Sequence, residues 1–134
     1  MSKSYKVCRG APVAPAEDEE QAAVFEWAEY AVAAYPCLRL MYHVPNEGKR
    51  NISYGAKLKR LGMKKGVSDI CLPVARGGYH GLYIELKAAG GKPTPEQKDF
   101  LRSVNIEGFL GVLCHGSREA IELITRYVRG EERV

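Results

Sequence analysis

The chain is poor in several features that would have fixed its class at once. Nowhere does it hold an apolar run near the ~18 residues that a membrane-spanning helix requires. Residues 1–18 contain no apolar stretch of the about 7–15 residues found in secretory signals. Internal repeats and low-complexity blocks are missing too. Cysteine is scarce: Cys8, Cys37, Cys71 and Cys114, with no two close enough to form a CxxC pair. That spacing argues against a zinc ribbon. With no secretory signal, the four read as reduced thiols of a cytoplasmic protein, and Cys71 and Cys114 lie inside apolar runs as small core residues. The three histidines, His43, His80 and His115, are scattered and read as strand-end or surface residues.

What remains is an ordinary globular composition. At 134 residues, 46% hydrophobic and 27% charged, the chain is one domain's worth with enough apolar surface for a core. Extended disorder, collagen and coiled coils are excluded on that basis. The net charge is +4, which permits a nucleic-acid partner without demanding one. Residues 1–16 lack periodicity and read as a flexible arm, leaving residues 17–134 as a single domain.

The positive charge is unevenly placed. Residues 48–68 carry Lys49, Arg50, Lys57, Lys59, Arg60, Lys64 and Lys65 and no acid. A solvated basic face is the plain reading. Seven positive charges without a counter-charge favour a phosphate-binding surface.

Periodicity divides the chain into elements. Val24, Trp27, Ala28 and Ala31 mark one helical face within residues 18–35, and Glu17, Asp18, Glu19 and Glu20 cluster at its start, where the helix dipole favours acids. Residues 38–44 form a short apolar strand, followed by a turn at Pro45-Asn46-Glu47-Gly48 and a short helix around residues 56–61. Residues 70–75 are a second strand, which Pro73 pushes to a sheet edge or a bulge. Residues 80–87 alternate, with Leu82, Ile84 and Leu86 on the core side. Thr94-Pro95-Glu96-Gln97 opens a helix with a capping box, residues 109–115 form another strand, and Ser117 caps a last helix. The final RGEERV is expected to fray.

The chemistry concentrates in Gly66-Val67-Ser68-Asp69 and Ile84-Glu85-Leu86-Lys87. Glu85 and Lys87 share a strand face roughly 6–7 Å apart. If the two strands pair, Asp69 reaches that face. Two carboxylates make a hard-oxygen site suited to Mg²⁺, and a neighbouring ammonium can position water and offset phosphate charge. A Glu-x-Lys alone is more often a solvated ion pair; here it comes with an upstream Asp, an acidic helix and a basic segment.

These residues resemble the PD-(D/E)XK nuclease superfamily and, more narrowly, are similar to its VRR-NUC domain (virus-type replication–repair nuclease). The resemblance runs from about residue 18 to 128. It is carried by Glu19-Glu20-Gln21 through Phe25-Glu26-Trp27, His43-Val44-Pro45-Asn46-Glu47-Gly48, Leu61-Gly62 through Asp69, Ile84-Glu85-Leu86-Lys87 and Thr94-Pro95-Glu96-Gln97. Ser68 stands where the superfamily's name has Pro, at a position that is not a ligand.

The resemblance implies an α/β, restriction-endonuclease-like PD-(D/E)XK core (α-β-β-β-α-β), with a mixed central sheet flanked by helices. It implies a metal, Mg²⁺ with Mn²⁺ substituting, held by Asp69, Glu85, the Leu86 carbonyl and Glu20. Lys87 would orient the attacking water. Glu20 would be the additional helix acid, with Glu19 as its competitor. Gln97 would be an accessory residue, a capping role being nearly as well supported. The implied reaction is DNA phosphodiester hydrolysis leaving a 5′-phosphate and a 3′-hydroxyl. Its implied substrate is branched DNA such as four-way junctions, cut by a homodimer in a bacterial or phage-infected cell. A non-catalytic DNA-binding scaffold is the alternative, and a sequence-specific restriction enzyme is weaker because little chain is left to read bases.

Overall fold

Val24 and Ala28, four residues apart, are both buried and orient helix α1 (Ala14–Ala31) against the core. The computed structural model describes residues 14–45 and 52–134. Helix α1 begins four residues before the expected start. Pro15 causes no break there, because a first-turn residue needs no N–H partner and its fixed φ already suits a helix. The arm expected at residues 1–16 lies outside the described residues up to residue 13, and its last three residues are helical.

The strand expected at residues 38–44 is mostly not a strand. A 3₁₀ helix occupies Pro36–Leu40, and only β1 (Tyr42–His43) is extended. Leu38 and Met41 are three residues apart and both buried, a spacing that suits a three-residue turn rather than a two-residue pleat. Helix α2 (Ile52–Arg60) starts earlier than expected. Strand β2 (Ile70–Leu72) stops one residue short of Pro73, which has no N–H to donate. That placement corrects the edge-or-bulge expectation: β2 lies inside the sheet.

Strand β3 (Leu82–Lys87), helix α3 (Pro95–Ile106), strand β4 (Leu110–His115) and helix α4 (Gly116–Val128) complete the order. The sheet runs β1-β2-β3-β4; the first two pairings are antiparallel and β3–β4 is parallel. A parallel pair needs a crossover, and α3 supplies it. Its capping box is complete, with the Gln97 N–H on Thr94 Oγ1 (3.1 Å) and the Thr94 N–H on Gln97 Oε1 (2.8 Å). The result is a mixed four-stranded sheet flanked by helices.

Leu82, Ile84 and Leu86 bury one face of β3 with Val24 of α1 and Ala120, Leu123 and Ile124 of α4. On the other face Tyr83 packs edge-on against Phe100 of α3, with ring centroids 5.2 Å apart. Tyr127 is fully buried and donates its hydroxyl to the Val74 carbonyl at 2.6 Å.

Strand β4 passes into α4 with no loop. Gly116, at φ +89°, makes the reversal that an L side chain rarely adopts. His115, not Ser117, is therefore the N-cap residue. The final residues do not fray as expected. The Val134 N–H donates to the Gly77 carbonyl (3.1 Å), the Tyr79 hydroxyl to the Arg133 carbonyl (3.1 Å), and Arg126 Nε pairs with Glu132 at 2.7 Å.

Candidate nuclease site

The antiparallel β2–β3 register sets Ile70 opposite Ile84, so Asp69, one residue earlier, lies alongside the Glu85–Leu86 segment. Asp69 is held at several atoms. Its Oδ2 accepts the Leu86 N–H at 2.8 Å, and its carbonyl accepts the Val44 N–H (2.7 Å) and meets His43 Nδ1 (2.9 Å). Such anchoring fixes the carboxylate before any ligand arrives.

Glu85 is 1% exposed. Alternation along β3 puts it on the same face as Tyr83 and Lys87. Its Oε1 has no hydrogen-bond partner, an expensive arrangement for a buried carboxyl oxygen. Lys87 Nζ stands 3.7 Å from its other oxygen. Burial first, and then the adjacent Asp69 carboxyl, push the Glu85 pKa from 4.5 up to about 8. Lys87 opposes that shift and Glu17 adds to it. Ser68 is also fully buried with an unpartnered hydroxyl, immediately before Asp69.

Asp69, Glu85 and Lys87 thus come together as the sequence implied. Glu20 is engaged at the start of α4. Its Oε1 accepts the Ser117 N–H at 2.6 Å, and backbone and hydroxyl bonds from Ser117 hold its pKa below the usual carboxylate range. It satisfies an orphan donor at the α4 N-terminus and meets the positive end of that helix. The α1 acid whose charge bears on Glu85 is Glu17. Sequence reasoning passed over it because the helix was taken to start at Asp18. Run back to Ala14, the helix places Glu17 seven residues before buried Val24, on the same face.

Gln97 spends its carbonyl oxygen on the capping box. Lys57, Lys59, Arg60, Lys64 and Lys65 are exposed on α2 and the segment after it, while Lys49 and Arg50 lie outside the described residues. Lys65 also borders an open depression of about 400 Å³ with Glu96, Asp99 and Ser103 of α3.

Among the described residues, no three His, Cys, Asp or Glu side chains converge as a ligand set. A hard cation would meet two carboxylates here, Asp69 and Glu85. The unpaired Oε1 of Glu85 beside Asp69 fits such an ion, because a cation would satisfy that oxygen and offset the repulsion between the carboxyls. Among the described residues, no helix is long and apolar enough to cross a membrane.

No curated protein matches the chain. A solved structure, titled VRR_NUC domain protein, superposes with a TM-score of 0.74 at 29% identity, covering 95% of this chain and 96% of that one. The VRR-NUC domain family model matches residues 16–118, a span that includes Asp69, Glu85, Lys87, Glu17 and Glu20. The chain belongs to the VRR-NUC family of nuclease domains.

Proposed function

We propose that the protein is a Mg²⁺-dependent, structure-selective DNA endonuclease built on a PD-(D/E)XK core, acting on branched DNA such as four-way junctions. One observation carries the reading: the buried Glu85 carboxyl, with an unpaired oxygen, set between Asp69 and Lys87. A pure binding module has no use for a buried carboxyl set beside a second one.

In this reading Asp69, Glu85 and the Leu86 carbonyl hold the metal, with Mn²⁺ able to substitute. When bound, the ion supplies Lewis-acid polarisation of the phosphate and acidification of water. Lys87 orients the attacking water and offsets charge building on the phosphate. Glu85 and Asp69 are pre-placed by β3 and the β2 register, so little reorganisation is needed. Glu20 ties α1 to the start of α4 and thereby fixes the wall of the site that carries Glu17.

Lys57, Lys59, Arg60, Lys64 and Lys65 would grip backbone phosphates, which positions DNA without reading sequence. A two-fold dimer would present two such sites to a two-fold junction.

Labelled linear, flapped, forked and four-way DNA, each with and without Mg²⁺ or Mn²⁺, tests the proposal. Metal-dependent cutting that favours branched substrates is expected. Binding without cutting in every metal would turn the reading to a DNA-binding scaffold.

A further inference from the structure

The segment joining β3 to α3 folds back onto Lys87. The Gly91 N–H donates to the Ala88 carbonyl at 2.9 Å and closes a turn. A Cβ added at Gly91 would stand 3.2 Å from Lys87 Cβ and 3.5 Å from its Cδ. The backbone at Gly91 therefore rests on the aliphatic stem of the lysine, and any side chain there would press into it.

The turn is fastened from the neighbouring strand. His115 is the last residue of β4 and pairs with Lys87 in the parallel register. Paired residues of a parallel ladder leave the same face of the sheet, so the imidazole rises beside the lysine stem. His115 Nε2 lies 2.9 Å from the Gly91 carbonyl oxygen. A carbonyl can only accept, so Nε2 carries the hydrogen. The histidine also keeps its place from below, since its own N–H donates to Glu119 at 2.8 Å.

A lysine side chain rotates freely about its four-carbon stem unless something packs against it. Here the Lys87 side chain is 12% exposed and its ammonium stays 3.7 Å from Glu85. We propose that His115, bonded to Gly91, latches the 88–92 turn over Lys87 and so positions the ammonium beside the acid pair. The proposal rests on the nuclease reading only for its consequence in catalysis. His115 is a positioning residue, acting through Gly91 and Lys87, and needs no contact with DNA.

The test is the rate at which Lys87 is acylated by an amine-reactive ester, followed by mass spectrometry on the full chain without DNA or metal. His115→Ala frees the turn, and Lys87 is then acylated several-fold faster than in the wild type. His115→Gln places an amide N–H near the position of Nε2, and it restores slow acylation. Gly91→Ala keeps the histidine but forces the turn off the lysine, so it also speeds acylation, and it decides the matter if His115→Ala does not fold. Wild-type acylation in a folded His115→Ala, wild-type acylation in Gly91→Ala, or fast acylation in His115→Gln overturns the latch.

In the Mg²⁺ cleavage assay, His115→Ala is expected to lose about tenfold or more in kcat with DNA affinity retained, because misplacing a catalytic group by an ångström is that costly. A rise in KM with kcat unchanged contradicts positioning. Absence of cleavage by the wild type would sink the nuclease reading, while the acylation rates would still decide the latch.

Discussion

Glu85→Gln should stabilise the metal-free protein, and increasingly so as pH rises. The substitution keeps the shape of the side chain and removes its ionisation. In the unfolded chain Glu85 loses its proton near its ordinary pKa of 4.5, whereas in the folded protein burial and Asp69 hold the proton up to about pH 8. Between those values the unfolded state binds fewer protons, so stability falls with rising pH. Below pH 4.5 both states are protonated and Glu85 carries no penalty. Each unit of separation is worth about 1.4 kcal/mol at full effect. Discounted for solvent screening, the penalty near pH 8 is on the order of 2–4 kcal/mol.

Urea unfolding in EDTA, followed by the fluorescence of Trp27, the single tryptophan, measures the effect. Trp27 packs against the core and reports its loss. The variant and the wild type share every other titrating group, so the difference between them isolates Glu85. The gap in unfolding free energy should be larger at pH 8 than at pH 5.5, with the variant the more stable. Adding Mg²⁺ should raise the wild type and leave the variant nearly unmoved, since only a ligand that prefers the folded state stabilises it. A gap that stays constant across pH, or a variant less stable at pH 8, would refute the claim that Glu85 is a desolvated acid beside Asp69.

Other perturbations probe separate parts of the structure. Glu20→Ala removes the acceptor for the Ser117 N–H and should cost about 1–2 kcal/mol, seen as a lower Tm; an unchanged Tm would show that the α1–α4 tie contributes nothing. Tyr127→Phe leaves the Val74 carbonyl unpaired in the core and should cost about 1–3 kcal/mol in chemical denaturation. Lys87→Ala should slow cleavage by about 10²-fold or more in single-turnover assays while leaving DNA binding in place. Replacing exposed Lys57, Lys59 and Arg60 together with Gln should weaken DNA binding and flatten its salt dependence across all sequences alike.

Local signals in the sequence translated well into structure. The capping box at Thr94 and Gln97 depends on residues three apart, and it forms as the sequence indicates. The alternation of residues 82–87 likewise gave β3 and brought Glu85 and Lys87 to one face. Failures occurred where distant contacts decide. Residues 38–41 look like a strand by composition, yet the three-residue spacing of Leu38 and Met41 makes a 3₁₀ turn. The full burial of Glu85 could not be read locally, because it depends on neighbours distant in sequence such as Asp69 and Glu17. For the same reason the Glu20 bond to the α4 N-terminus was not legible: nothing near Glu20 in sequence reveals Ser117, 97 residues away. The docked final residues follow that pattern, since Gly77 and Tyr79 hold them from the far end of the β2–β3 connection.

The central claim is that Asp69 and Glu85 form the centre that cuts DNA. The direct measurement is single-turnover cleavage of an end-labelled four-way junction in Mg²⁺ by the wild type, Asp69→Ala and Glu85→Gln, with junction binding measured in Ca²⁺. The account predicts cutting by the wild type alone, with all three proteins folded and bound to the junction. Wild-type cutting by Asp69→Ala or Glu85→Gln would contradict it.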